Sequence, residues 1–428
     1  MVTRAGRPRA GEDGHMTEVT TTDPDALLAE VLLTPEGKAD PYPRYAAIRE
    51  DAPAFRSGLG FVVVARYDDC HWVLRDPRFG KAENADGVWE QYGLTEDEWR
   101  RRFPTFDRRT RSMLGLNPPD HTRLRGLVAK AFTPKTVENL RPEIVRLTDE
   151  LLDTFDGVVD VIQRLALTLP ITVIGEMLGV PESHRADLQP LVRTAVATLE
   201  FNLSLDQLDA AAAAAEGISE RFEDLIAERR TDPGDDLLSG LIHVEEQGDQ
   251  LDHDELIATV ILLFAAGFET TTNLIGNGLL ALLDHPDQLQ RLRDDRTLMR
   301  TAVEELLRWD SPVQLDGRSA CEDLDVRGID VVAGEQVATI LGAANRDPRK
   351  FDDPDRFDIG RTGPQPMSFG AGIHFCLGAP LARVEGQVVF DRLLDRFPVI
   401  EPAWGQERPR YRDSIVLRGL ESLPVRVG

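Results

Sequence analysis

The chain has 428 residues, of which 74 are acidic and 49 basic, giving a net charge of −25. That balance repels phosphates and excludes a general nucleic-acid binder. Three cysteines, Cys70, Cys321 and Cys376, form no CxxC pair, which excludes a Cys-rich zinc site or a disulfide framework and points to a reducing cytoplasm.

Residues 1–22 carry basic side chains without an apolar core, so they read as a disordered tail rather than a secretory signal. Residues 23–428 read as a single domain, long enough to enclose a cofactor. Pro24–Arg49 is mostly helical, punctuated by Pro35, Pro41 and Pro43. Phe61–Tyr67 reads as a strand and Asp69–Leu74 as a short helix. Lys81–Pro119 is less regular and contains the basic, aromatic stretch Trp99–Arg111, read in so acidic a protein as an exposed loop or short helix. Asp120–Glu228 is helical throughout, with apolar periodicity in Leu140–Phe155, Leu165–Leu178 and Leu188–Leu203 and a helix-favouring run at Ala210–Ala215. Asp252–Leu283 is a long helix and Leu298–Trp309 another. Its longest apolar run, Leu256–Phe268, is short of the ~20 residues that span a bilayer, so no membrane anchor is expected. Strands are predicted at Leu324–Val332, Val337–Leu341, Ile415–Arg418 and Leu423–Val427, a structureless segment at Ala343–Ser368, and a final helix at Leu377–Phe397. Helices dominate, with a minority of sheet and no βαβ alternation.

The stretch Phe369–Gly378 reads FGAGIHFCLG. Its glycines imply special backbone angles or close approach to another group. Cys376 sits just before an amphipathic helix, where free amides lower a thiol pKa. That suits a metal thiolate or a nucleophile; a buried inert cysteine is the alternative. On the long helix, AAGFETTTN (Ala265–Asn273) places small residues beside an acid, Glu269, and an alcohol, Thr270. A hydroxyl there bonds back to a carbonyl and distorts the ladder. Residues 265–267 are small enough for that face to approach a flat ligand. Glu305 and Arg308 share a helix face, as do His121 and Arg125.

The loop resembles, at every fixed position, the haem-binding motif FGxGxHxCxG of cytochrome P450 enzymes. The resemblance implies a mainly α fold with smaller β-sheets, haem lying between the long central helix and the cysteine loop. It makes Cys376 the axial ligand of haem b iron. Phe369, Gly370, His374 and Gly378 become parts of the haem loop, and Ala266 lies over the haem. Glu269 and Thr270 match the family's oxygen-activation helix, as proton-delivering residues for a reaction with O2. EELLRW matches the ExxR helix, making Glu305 and Arg308 a buried pair completed by Arg356 of the later PDRF segment. HTRLR (His121–Arg125) and Arg318 match propionate contacts. Ala265, Ala266, Val313 and Gln314 match distal-pocket positions, implying a hydrophobic substrate such as a polyketide, terpenoid, steroid or fatty acid. No reductase module follows in the chain, so electrons from NAD(P)H are expected through a separate ferredoxin reductase and ferredoxin, with Arg123 and Lys130 as part of a docking patch. A cytoplasmic, iron-containing monooxygenase is the expectation. A haem carrier or gas sensor, or a same-scaffold enzyme that couples rings or dehydrates, is the alternative.

Overall fold

Asp23 opens α1 (Pro24–Leu33) by accepting from the Asp25 amide, and Thr34 caps α2 (Pro35–Ala39) in the same way through the Gly37 amide. With α3 (Tyr42–Asp51) these helices cover one face of a five-stranded sheet. The sheet runs β1 (Ala54–Arg56), β2 (Val62–Val64), β8 (Gln336–Ile340), β5 (Leu315–Ala320), β3 (Phe79–Gly80). Only β2 and β8 pair in parallel, Val63 opposite Ala338. A second sheet is β4 (Val158–Asp160), β10 (Pro424–Val427), β9 (Ile400–Pro402), and β6 (Leu324–Val326) with β7 (Ile329–Val331) forms a hairpin. A computed structural model describes residues 23–81, 92–103, 111–200, 203–247 and 250–428. The N-terminal segment read as a tail, and residues 104–110 of the basic stretch, lie outside the described residues.

The helical body comprises α4 (Tyr67–Arg75), α5 (Glu96–Arg102), α6 (Asp120–Val128), α7 (Pro134–Leu152), α8 (Thr168–Leu178), α9 (Glu182–Ala195), α10 (Leu205–Thr231), α11 (Leu237–Glu246), α12 (His253–Asp284), α13 (Pro286–Asp294), α14 (Met299–Trp309), α15 (Leu341–Ala344) and α16 (Ala379–Arg396). At its centre lies α12. Asp252 and Glu255 form a capping box at its start, and its second half is buried on every side. It is long and apolar enough to cross a membrane, yet 61% of its most apolar window is packed inside this fold. The sequence reading counted only Leu256–Phe268 and missed the continuation through Leu274–Leu283, which carries no charge.

Several expectations shift. The Phe61–Tyr67 strand shrinks to Val62–Val64, because Tyr67 already starts α4. β4 interrupts the stretch read as wholly helical. β5 escaped the reading because its charged and glycine residues hide any alternation. Ile415–Arg418 forms no strand, only a bridge from Leu417 to Val313. Beyond α15, the irregular segment up to residue 366 is held by the Arg308 and Arg361 side chains, which donate to its carbonyls.

Candidate active site

The cysteine loop is built from two 3-10 turns, Met367–Phe369 and Gly372–His374. Gly370 and Gly372 adopt φ of 66° and 72°, in the region that favours glycine. A side chain at Gly372 would also meet the Leu74 carbonyl at 2.2 Å. The loop closes with the Cys376 amide donating to the Phe369 carbonyl at 2.9 Å. Arg383 stacks over the Phe369 ring at 4.5 Å. Gly378 is the residue before α16. Cys376 is exposed at its surface, with Arg125 and Arg383 near its sulfur. Burial pushes its thiol up. The amides of Gly378 and Ala379, with Arg125 and Arg383, only partly offset this. The expected drop from the helix terminus is therefore overturned in the protein alone, since desolvation outweighs it.

Across the core, α16 packs on α12 through Gly386 against Leu274 and Gly278 against Phe390. This sets Ala265, Phe369, Phe375 and Leu377 around one apolar cluster. Ala266 is exposed in the middle of an otherwise core helix. Thr270 Oγ1 donates to the Ala266 carbonyl at 3.0 Å, the back-bond its sequence position implies. Gly267 has a different reason to be small: a Cβ there would lie 2.7 Å from Ile174 on α8. It serves helix packing and not a flat ligand. Glu269 is buried and faces away from Thr270, as successive helix residues turn by ~100°. Its carboxylate lies 2.5 Å from Arg412 Nη2 and 3.8 Å from Arg193 Nε. Neither arginine carried a sequence signal, since they reach Glu269 from remote segments.

A cationic pocket forms beside the loop. His121 and His374 stack with centroids 4.5 Å apart. Both His121 nitrogens, His374 Nε2 and Arg318 Nη2 are buried without a hydrogen-bond partner. Burial, with Arg318, Lys81 and His121 around it, pushes His374 down to about 3. Burial and Arg125 likewise lower His121. Arg125 Nη2 donates to the Phe375 carbonyl at 2.6 Å. Asp316, two residues before Arg318 and on its face of β5, binds Arg318 Nη1 through both oxygens at 2.9 Å. Sequence reading missed Lys81 and Asp316, although the i, i+2 spacing of Asp316 and Arg318 was a usable signal.

The ExxR pair is formed and buried: Arg308 donates to Glu305 at 2.7 and 2.8 Å and to the carbonyls of Asn345 and Pro354. Its predicted third member is wrong. The Arg356 side chain is exposed and pairs with Asp358, while Arg361 Nε donates to Glu305 at 3.1 Å. Arg356 contributes only its carbonyl, which accepts from both Arg308 and Arg361. Asn345 then links Arg308 to the cysteine loop through Met367 and Ser368.

Two other expectations are corrected. Gln314 does not line a pocket. It is fully buried and donates to Ser311 and the Tyr42 hydroxyl. Val313 is half-buried and lies on the opposite side of the extended backbone. Arg123 is committed to Glu255, Asp120 and the Gln250 carbonyl, so it offers little free charge for docking. In the basic stretch, Arg100 pairs with Glu96, Arg102 with Asp209, and Arg111 with Asp252 and Asp254.

The sequence profile described as Cytochrome P450 matches residues 205–422. The chain is 44% identical to Cytochrome P450 107B1 of Saccharopolyspora erythraea, over 91% of this chain and 95% of that one. It is 42% identical to the Vitamin D(3) 25-hydroxylase of Pseudonocardia autotrophica, over 91% and 94% respectively. The crystal structure of ligand-free CYP164A2 from Mycobacterium smegmatis superposes with a TM-score of 0.85 at 39% identity, covering 94% of this chain and 99% of that one. The chain belongs to the cytochrome P450 family and is a P450 monooxygenase, an enzyme class that uses haem and O2.

The residues fit that cofactor. Four orphaned nitrogens on His121, His374 and Arg318, among them the Arg318 donor and one N–H of each imidazole that can turn to the site, suit the two propionate carboxylates, and Cys376 suits the iron. Phe369, Gly370 and Gly378 shape the loop, and Ala266 is a small, exposed residue on α12.

Proposed function

We propose that this P450 hydroxylates or epoxidises a hydrophobic small molecule of the polyketide, terpenoid, steroid or fatty-acid class. Electrons pass from NAD(P)H through a ferredoxin reductase and a ferredoxin, in the cytoplasm. When bound, haem with a Cys376 thiolate supplies the redox and O2 chemistry. The chain's residues supply the rest. His121, Arg125, His374 and Arg318 hold the propionates. Ala265, Ala266 and Val313 offer an apolar wall to the substrate. The name of the vitamin D hydroxylase relative agrees with an apolar substrate.

The observation that carries the reading is the neighbouring pair Glu269 and Thr270. The Thr270 hydroxyl is held against the Ala266 carbonyl, leaving its oxygen able to accept a proton-bearing partner on the cleft side. Glu269 is held by Arg412 and Arg193. To serve the Thr270 side its carboxylate must leave Arg412 or act through water. A carrier or sensor has no use for this arrangement.

The test has two stages. The reduced holoenzyme under carbon monoxide is expected to give the strongly red-shifted Soret band of thiolate ligation. A panel of macrolactones, steroids, terpenes and fatty acids is then screened with a ferredoxin pair. A product one oxygen atom heavier, formed with matched NAD(P)H use, supports the reading. Products that are only coupled or dehydrated overturn it, as does O2 binding without turnover on any of the panel.

A further inference from the structure

Lys81 lies at the exit of β3, where its backbone is clamped. Its amide donates to Asn117 Oδ1 at 2.8 Å, and Asn117 Nδ2 donates back to its carbonyl at 2.9 Å. Gly80 permits this approach, since a Cβ there would sit 2.6 Å from Asn117 Oδ1. Asn117 also accepts the His121 amide at its carbonyl, at 3.0 Å, and so stands at the start of α6, the helix of His121 and Arg125. So held, the Lys81 side chain runs inward. Its ammonium donates to Asp316 Oδ1 at 3.1 Å and to the Gly317 carbonyl at 3.0 Å.

This places an acid inside a pocket otherwise suited to anions. Asp316 already holds Arg318 Nη1 with both oxygens, leaving Arg318 Nη2 buried and unpartnered. Without a second cation, Asp316 would cancel the Arg318 charge and repel any carboxylate brought to it. With Lys81 the count changes: two cations face one acid, and one positive charge remains for a ligand. Burial raises the cost of the Asp316 charge, but Lys81 and then Arg318 outweigh it and hold the group to about 2. Asp316 therefore stays ionised and stays in need of Lys81.

We propose that Lys81 is a positioning residue for the haem: it neutralises Asp316 so that Arg318 is free to bind a propionate. This rests on the reading that the propionates occupy the pocket of Arg318, His121 and His374. Lys81 acts through Asp316, not by touching the cofactor.

The experiment is a double-mutant cycle on haem loss. Holoenzymes of the native chain, K81M, D316N and K81M/D316N are mixed with excess apomyoglobin at one pH, and transfer of haem is followed by absorbance. K81M is expected to speed haem loss about tenfold when Asp316 is present and less than about twofold when D316N is already in place. K81R is expected to keep the native rate. Equal acceleration in both backgrounds, or none in either, overturns the proposal. Where K81M does not fold by circular dichroism, K81Q takes its place in the cycle. R318A separates the two claims: an unchanged haem-loss rate in R318A overturns the propionate reading itself, whatever Lys81 does.

Discussion

The imidazoles of His121 and His374 meet at 4.5 Å, one from α6 and one from the cysteine loop, with no hydrogen-bond partner at either His121 nitrogen or at His374 Nε2. Two like groups so placed cannot both carry charge unless an anion joins them. His374 is accordingly pushed down to about 3 by burial and by Arg318, Lys81 and His121.

That depression has a pH consequence for haem-free protein. Between about 6.5 and 3 the unfolded chain binds a proton at His374 that the folded chain refuses. Stability therefore rises with pH across this window and falls on acidification. Thermal melts of the haem-free protein at pH 7 and pH 5 are expected to show a larger drop for the native chain than for His374→Phe. Equal drops would mean that His374 is not held neutral by its surroundings.

Glu385 on α16 gives the opposite slope. It is fully buried, with neither carboxylate oxygen hydrogen-bonded, and burial pushes it up to about 8 despite the nearby Thr271 hydroxyl. The folded chain keeps a proton there that the unfolded chain loses near 4.5. This contribution is fully present below about 4.5 and is lost as pH rises towards about 8. Glu385→Gln keeps the neutral shape at all pH values. Holoenzyme melts at pH 6 and pH 8.5 should therefore differ less between native and variant at the lower pH, where only part of the contribution has been lost. At the higher pH the variant should be the more stable; the reverse order would show an ionised, satisfied Glu385.

Arg361 and Arg356 make a sharp contrast five residues apart. Arg361 shares Glu305 with Arg308 and binds the carbonyls of Asp352, Asp353 and Arg356. Arg361→Ala thins the compensation of a buried acid and frees these carbonyls, at a cost of about 2–3 kcal/mol. Arg356→Ala removes a side chain in solvent and should change stability by less than about 0.5 kcal/mol. Urea unfolding of the two variants decides which arginine completes the buried group.

The same pair shows what sequence could and could not reveal. The cysteine loop is legible because it is linear: its glycine angles, its cysteine and the following helix are all local. His121 with Arg125, and Glu305 with Arg308, are legible through helix spacing. Arg356 was nominated by the resemblance of PDRF alone, and because the segment has no period nothing in the chain says which side chain turns inward. Arg193, Arg412 and Lys81 reach the site from remote segments and leave no local pattern. Gln314 was misplaced for a simpler reason, since adjacent residues in extended backbone face opposite ways and the side of Gln314 is the core, where it is fully buried. Gly267 was read as making room for a ligand when it makes room for Ile174.

Glu269 and Thr270 should separate in their effects, because they hold different partners. Glu269→Gln removes the charge that Arg412 and Arg193 face, without changing the shape of the core. Haem content and the thiolate band should persist while turnover falls about a hundredfold, within the usual range for losing a general acid. Thr270→Val removes the hydroxyl bonded to the Ala266 carbonyl and keeps the side-chain volume. It should consume NAD(P)H at close to the native rate but release most of the electrons as hydrogen peroxide rather than product. The two are distinguished by measuring NAD(P)H consumed, peroxide formed and product formed in one assay. A Glu269→Gln enzyme with native turnover, or a Thr270→Val enzyme with native coupling, would remove that residue from the proton path.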